Sequence, residues 1–368
     1  MKQIATQLAT FVALTLCAVA ALAEISIEEL VRDAGLREGP IAVRDMSQWN
    51  GARKILITRV GEDDVALLQA QFPDTELIVA ASSADALSKA ADVDAIVGAC
   101  NAELVNAARQ LVWVQIFSAG AERCLAVPRV ASGEILLTNM QKMSAPVIGE
   151  HAVAMALALA RGLVGYAKDM RSGTLFASRR EATGMVSLSS KTMLVVGLGG
   201  IGTEAARRGA ALGMRVIGTR NSSRNGPDFV EYVGLSDELL ELVGQADVIV
   251  NALPITPATR GLLDDEFFAA AKTGAIFINV GRGATVDSDA LLAALRQGKL
   301  AAAGLDVTDP EPLPEDHPLW QLKNVIITPH VSGRGGERER HKVLLRENLR
   351  RYVAGEALLN VVDPERGY

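Results

Sequence analysis

Three short segments hold the residues best suited to chemistry: Asn279-Val280-Gly281-Arg282-Gly283, Asp306-Val307-Thr308-Asp309-Pro310-Glu311-Pro312 and Thr328-Pro329-His330. Histidine exchanges a proton near neutral pH, and the planar fork of arginine grips a carboxylate with two parallel N–H bonds. Each segment follows an apolar run. If those runs are strands of one open parallel sheet, the three turns meet beyond its carboxyl ends, where ligands bind. A fourth segment, Gly197-Leu198-Gly199-Gly200-Ile201-Gly202, lies between the apolar run 193–196 and a helical stretch over 203–212. Its first glycine permits a tight turn, its second a close approach by a pyrophosphate, and its third close packing of helix on strand. The unpaired N–H groups and the dipole at the helix start attract the anion. Together the segments describe a dinucleotide set against a proton donor and an anion-gripping cation.

Eighteen residues past Gly202, at the end of the next expected strand, stands Arg220. A carboxylate there would accept from the ribose hydroxyls of NAD(H), whereas a guanidinium suits the 2′-phosphate of NADP(H). Ser222, Ser223 and Arg224 add hydroxyls and a second cation in the same loop. NADP(H) is therefore the expected preference and NAD(H) the alternative. The other three histidines read as structural or solvated: His151 opens a helix, His317 sits in a proline-bracketed loop, and His341 lies in an arginine-rich helix. Glu150 and His151 diverge by about 100° around a helix, so Glu150 reads as an interdomain or subunit contact rather than half of a second acid–base pair.

The elements that must position these residues alternate along the chain. Runs 55–58, 75–79, 95–98 and 112–116 are each followed by a turn or an amphipathic stretch, as a first domain of parallel strands requires. Residues 143–173 read as one long helical region with Ser144 as its cap and Pro146 in its first turn. Six further runs, at 193–196, 215–217, 247–250, 275–278, 302–305 and 325–327, make a dinucleotide-type sheet. A terminal helix over 337–354 is expected to return to the first domain, which lacks a closing helix. The division is a first domain over 24–143, completed by 333–368, and a dinucleotide-binding domain over 144–332. The class is α/β, two Rossmann-like doubly wound parallel-sheet domains around an interdomain cleft. Composition agrees: 368 residues exceed the usual reach of one core, 49% of them are apolar, and 33 glycines suit many short turns.

In order and spacing, the glycine loop, Arg282, Glu311 29 residues later and His330 19 after that resemble the D-isomer-specific 2-hydroxyacid dehydrogenases. Supporting stretches are Gly149-Glu150-His151, Asn251-Ala252-Leu253-Pro254, Gly304-Leu305-Asp306-Val307 and His317-Pro318-Leu319-Trp320. The resemblance implies NAD(P)H-dependent interconversion of a small 2-oxo acid, such as glyoxylate, hydroxypyruvate or pyruvate, and its D-2-hydroxy acid. It implies that His330 is the general acid, oriented by Glu311, and that Arg282 grips the carboxylate and polarises the carbonyl. Backbone amides around Ser118-Ala119-Gly120 would hold the rest of the carboxylate. Asp306 would accept from the nicotinamide carboxamide; Leu253, Pro254 and Val280 would line the coenzyme. The loop departs from many relatives, with Ala121-Glu122-Arg123 where a Val-Asp-like pair is common, so its side chains say little about the substrate. A homodimer built around the long helical region is also implied. The competing readings are a non-catalytic dinucleotide-binding sensor on the same fold and, within the superfamily, formate oxidation, which needs no acid–base step.

Charge and leader set the surroundings. Thirty-seven Lys and Arg against 43 Asp and Glu give −6, with no basic run that could neutralise a row of phosphates, so nucleic acid is not an expected partner. No metal-ligand set is read. Residues 3–23 carry no charge, follow Lys2 and end in Ala21-Leu22-Ala23, which reads as a secretory signal peptide over 1–23. Export to the periplasm is the expectation and a cytoplasmic enzyme the alternative, since exported compartments do not normally maintain reduced coenzyme. No stable membrane span is expected once the leader is removed. Cys100 and Cys124, isolated in a long chain, are expected to be unpaired and partly buried.

Overall fold

Runs of apolar, often β-branched residues buried on both faces belong in parallel sheets covered by helices on each side. In a computed structural model, which describes residues 25–172, 185–221, 223–336 and 338–367, such runs form two sheets. A short strand, β1 (Glu38–Ala42), precedes both. The first sheet holds β2 (Lys54–Ile57), β3 (Glu76–Val79), β4 (Ala95–Val97), β5 (Trp113–Gln115) and β6 (Leu136–Thr138), in the spatial order β3-β2-β4-β5-β6. The second holds β7 (Thr192–Val196), β8 (Arg215–Thr219), β9 (Tyr232–Gly234), β10 (Val248–Asn251), β11 (Ala275–Asn279), β12 (Leu300–Leu305) and β13 (Val325–Ile327), in the order β13-β12-β11-β10-β7-β8-β9. The chain is thus α/β with two Rossmann-like, doubly wound sheets. In the second the order reverses between β7 and β10, whose crevice is the position for a dinucleotide.

Leu194, Ile249 and Phe277 fill one face of the second sheet, and Met193, Val195 and Val216 the other, all essentially inaccessible. Each such side chain contributes roughly 1.5–3 kcal/mol of burial. The helix Ala145–Ala160 lies on that second face through Ala152 and Ala156. Gly149 lets it cross the helix Gly200–Ala211 closely, since a Cβ there would lie 2.8 Å from the Glu204 backbone. The terminal helix Arg338–Ala354 packs on the first sheet through Leu344, Leu349 and Tyr352, against Ile55, Val97 and Trp113. The Tyr352 hydroxyl donates to Asp94 Oδ1 at 2.9 Å; burial pushes the pKa values of both groups up. Beyond that helix β14 (Ala357–Leu359) pairs antiparallel with β1.

Several expectations need correction. The helical region 143–173 is two helices, Ala145–Ala160 and Leu163–Ser172, broken where Gly162 takes a left-handed φ of 64°. Ser144 makes no capping bond; its hydroxyl lies 3.3 Å from His341 Nε2. The second sheet has seven strands rather than six, because the three-residue β9 pairs with β8. Strand β6 and the β1–β14 pair are likewise too short to show a period in sequence. Cys100 and Cys124 form a disulfide with Cα atoms 5.5 Å apart. They follow adjacent parallel strands, β4 and β5, so the topology brings together two thiols that sequence separation left isolated. The expected leader lies outside the described residues. Among the described residues, no helix is long and apolar enough to cross a membrane.

Candidate active site

The glycine loop connects β7 to the helix Gly200–Ala211 as expected from its spacing. Gly197 adopts φ 94°, and a side chain at Gly202 would collide with the Gly197 carbonyl, so both positions exclude a Cβ. Leu198 N donates to Thr219 O at 2.9 Å and Thr203 N to Gly199 O at 2.9 Å. The amides of Gly200, Ile201 and Gly202 in between find no acceptor among the described residues. They are the orphan donors of a helix start, and they fit a pyrophosphate. Arg220 follows β8, its amide donating to Gly234 O, and its buried Nε has no partner. An unpaired buried guanidinium nitrogen fits an incoming phosphate. Arg224 does not join it, because Glu238 (2.7 Å) and Tyr232 (2.8 Å) engage its guanidinium. Ser222 lies outside the described residues. Leu253 and Pro254 follow β10, and Val280 is buried after β11, around the same crevice.

The turns after β11, β12 and β13 converge. His330 Nδ1 lies 2.7 Å from Glu311 Oε1, leaving Nε2 directed away from the carboxylate. His330 holds a left-handed φ of 51°, a conformation sparsely populated by non-glycine residues. It is fixed there by its amide, which donates to Asp306 O at 2.9 Å and Thr328 O at 3.0 Å. The Asp306 carboxylate is buried and accepts from Thr328 Oγ1 (2.6 Å), Val331 N (2.9 Å) and Ser332 N (3.0 Å), so it anchors the turn carrying His330. Burial resists its ionisation most, yet the donors from Ser332, Thr328 and Val331 hold its pKa below the usual carboxylate range. His151 supports this anchor through Thr328 Oγ1 at 3.0 Å. Glu150 is paired with Arg208 of the glycine-loop helix at 3.0 Å.

Arg282 reaches across the cleft to the first domain, donating from Nε to Glu122 Oε1 at 3.0 Å and from Nη1 to Gly281 O at 2.9 Å. Its Nη2 lies over Gly120, where any side chain would collide with it. The loop Ser118-Ala119-Gly120 beneath is turned so that every carbonyl is spoken for. Ser118 O accepts from Met140 N, Ala119 O from Asn139 Nδ2 (2.7 Å), and Gly120 O from Ser118 Oγ (2.7 Å). Its three amides have no protein acceptor among the described residues, which makes a nest for a carboxylate beside the arginine. Glu122 and Asn139 carried no sequence signal for these roles, because their partners are remote in the chain. A cavity of about 780 Å³ adjoins the loop at Phe117 and is lined by Arg59, Arg334, Arg338 and Lys342 among others.

The chain matches, over residues 153–332, the family described as D-isomer specific 2-hydroxyacid dehydrogenase, NAD binding domain. It is 33% identical to a glyoxylate reductase of Aeropyrum pernix over 289 residues, 76% of this chain and 85% of that one. It is 30% identical over 317 residues to the D-3-phosphoglycerate dehydrogenase of Methanocaldococcus jannaschii, covering 84% of this chain but only 59% of the relative's length. A crystal structure of a D-isomer specific 2-hydroxyacid dehydrogenase from Xanthobacter autotrophicus Py2, in complex with NADPH and MES, superposes with a TM-score of 0.72 at 30% identity, covering 87% of this chain and all of that one. A glycine loop at the β7/β10 crevice, three converging strand-end turns and these likenesses together establish that the chain belongs to the D-isomer specific 2-hydroxyacid dehydrogenase family.

Proposed function

We propose that the protein is an NAD(P)H-dependent oxidoreductase that reduces a small 2-oxo acid to its D-2-hydroxy acid, with His330 as the proton donor and NADP(H) preferred. The observation that carries the reading is the placement of the His330–Glu311 pair and of Arg282 around one cleft, opposite the free amides of Ser118–Gly120. The bound dinucleotide supplies the hydride to the carbonyl carbon. Arg282 and the loop amides bind the substrate carboxylate, and Arg282 also polarises the carbonyl. His330 gives the proton from Nε2 to the carbonyl oxygen and is left neutral, while Glu311 keeps the ring oriented throughout. The cationic lining of the adjoining cavity raises the local concentration of an anionic substrate. The preference for NADP(H) is supported by Arg220 with its unpaired Nε and by the NADPH-bound relative. A homodimer belongs to the same reading: Leu163, Met170, Met185 and Val186 expose large apolar side chains in one stretch after the interdomain helix, and sedimentation at twice the chain mass would support it.

The test is the His330→Ala variant assayed with a panel of 2-oxo acids and both coenzymes. Losing a general acid lowers kcat by roughly 10²–10⁴-fold, with coenzyme affinity kept. Unchanged turnover places the proton donor elsewhere, and no turnover by the wild type with any 2-oxo acid favours a dinucleotide-binding sensor.

A further inference from the structure

The cavity of about 780 Å³ beside the substrate loop is basic, in a chain whose net charge is −6. Arg59 follows β2, Arg334 stands in the turn beyond His330, and Arg338 opens the terminal helix; all three line the cavity, with Lys342 and Arg346 of that helix. Among the described residues Asp64 is the one carboxylate in the lining, and Lys342 takes it up at 2.8 Å. Arg59, Arg334, Arg338 and Arg346 make no ion pair among the described residues. Farther along the same helix the arginines are neutralised: Arg350 pairs with Glu347 and Glu356, and Arg351 with Glu347 and Glu38. The uncompensated charge therefore follows the cavity rather than the helix. Arg59 also holds a left-handed φ of 60°, a conformation that non-glycine residues keep mainly at functional sites.

We propose that this cavity receives a second anionic group of the substrate, so that the enzyme reduces a 2-oxo acid bearing a carboxylate or a phosphate at its far end, gripped by Arg59, Arg334 and Arg338. The proposal rests on the 2-oxo acid reading above and names the substrate class within it. The cavity adjoins the substrate site on two sides. Phe117 in its wall directly precedes the Ser118–Gly120 nest, one Cα step of about 3.8 Å, and Gly333 lies three residues beyond His330. With its carboxylate on Arg282 and the nest and its carbonyl oxygen at His330, the substrate has one substituent left to place, and the cavity opens between those two walls. In glyoxylate that substituent is a hydrogen and in pyruvate a methyl; neither fills such a space or offers anything to a cation. Guanidinium forks match carboxylate and phosphate alike, and like charges lining one cavity repel until an anion enters.

The experiment compares steady-state kcat/KM within pairs of substrates that differ in the far group: oxaloacetate with 2-oxobutanoate, 2-oxoglutarate with 2-oxopentanoate, and 3-phosphohydroxypyruvate with hydroxypyruvate. The wild type is expected to favour the member with the second anion in at least one pair by roughly tenfold or more, mainly through KM. Which pair does so tells carboxylate from phosphate and short from long. Arg59→Met, Arg334→Met and Arg338→Met should each cut that preference by about five- to tenfold, since these side chains are exposed and partly screened. The partner without the second anion is the control for folding and for general attraction of anions, and Arg59→Lys should keep part of the preference. Added salt should shrink it, as an interaction between charges requires. Equal kcat/KM within every pair overturns the proposal, and so does a loss in the arginine variants that both members of a pair share. Failure of the underlying reading looks different, because then no 2-oxo acid is turned over at all, glyoxylate included.

Discussion

Arg282 cannot receive a substrate carboxylate without Glu122 standing next to it. The carboxylate of Glu122 fixes Nε and thereby turns Nη2 over the amides of Ser118–Gly120, but it also places a negative charge beside an anionic ligand. Both side chains of the pair are partly exposed, so the electrostatic part is worth about 1 kcal/mol or less. Glu122→Gln keeps an acceptor for Nε and removes the charge, so KM for the 2-oxo acid should fall by up to about fivefold at ~1.4 kcal/mol per decade, with kcat little changed. Glu122→Ala frees the guanidinium and should raise KM. Steady-state rates of the two variants check this; a rise in KM for both would make the charge itself the useful feature. The contrast with His330 shows what the sequence makes legible at this scale. His330, Glu311 and Arg282 stand in strand-end segments with family spacing, whereas the partner of Glu122 is 160 residues away and nothing local marks the pair.

At the scale of elements, the alternation of apolar runs with helical stretches made both sheets readable, because parallel strands buried on both faces are apolar throughout. What escaped was short or decided by tertiary contact: β9 is three residues long, and a single glycine splits the region 143–173. The turn after β13 belongs to the same class. Its strained His330 is held by Asp306 on β12's end through bonds that no sequence period encodes. With a pKa depressed in the fold, Asp306 contributes stability that is present above the unfolded value of about 3.9 and lost as pH falls through its folded value. Val331 N and Ser332 N bond different oxygens of the carboxylate, so Asp306→Asn must aim its amide N–H at one of these two N–H groups, leaving a buried donor unsatisfied at about 1–3 kcal/mol. The variant should melt several degrees lower at pH 7, and the gap should narrow as pH drops below about 4. Calorimetric scans across that range check it, and a gap independent of pH would mean that the carboxylate is not what secures the turn.

The whole molecule raises the question of compartment, and we propose export on two grounds that are independent of each other. One is the uncharged, small-residue-terminated leader over 1–23. The other is the Cys100–Cys124 disulfide, a bond that persists in oxidising surroundings. Coenzyme supply argues the opposite way, so the native chain has to decide. Protein purified from its natural source should begin near Glu24, be two hydrogens lighter than the dithiol and resist alkylation at both cysteines. The disulfide closes a segment with a sequence separation of 24, which in the chain-entropy picture contributes about 3–4 kcal/mol. It also pins the short helix Glu122–Leu125, which carries Glu122 at its start and Cys124 within it, beside the substrate loop. Reduction should therefore lower the melting temperature and raise KM for the 2-oxo acid in the same direction as Glu122→Ala, leaving coenzyme affinity alone, since the dinucleotide site lies on the other sheet. A native chain that retains Met1 and carries three alkylatable thiols, Cys17 of the leader among them, would place the enzyme in a reducing compartment, and a KM indifferent to reductant would show that the helix is held by its packing rather than by the bond.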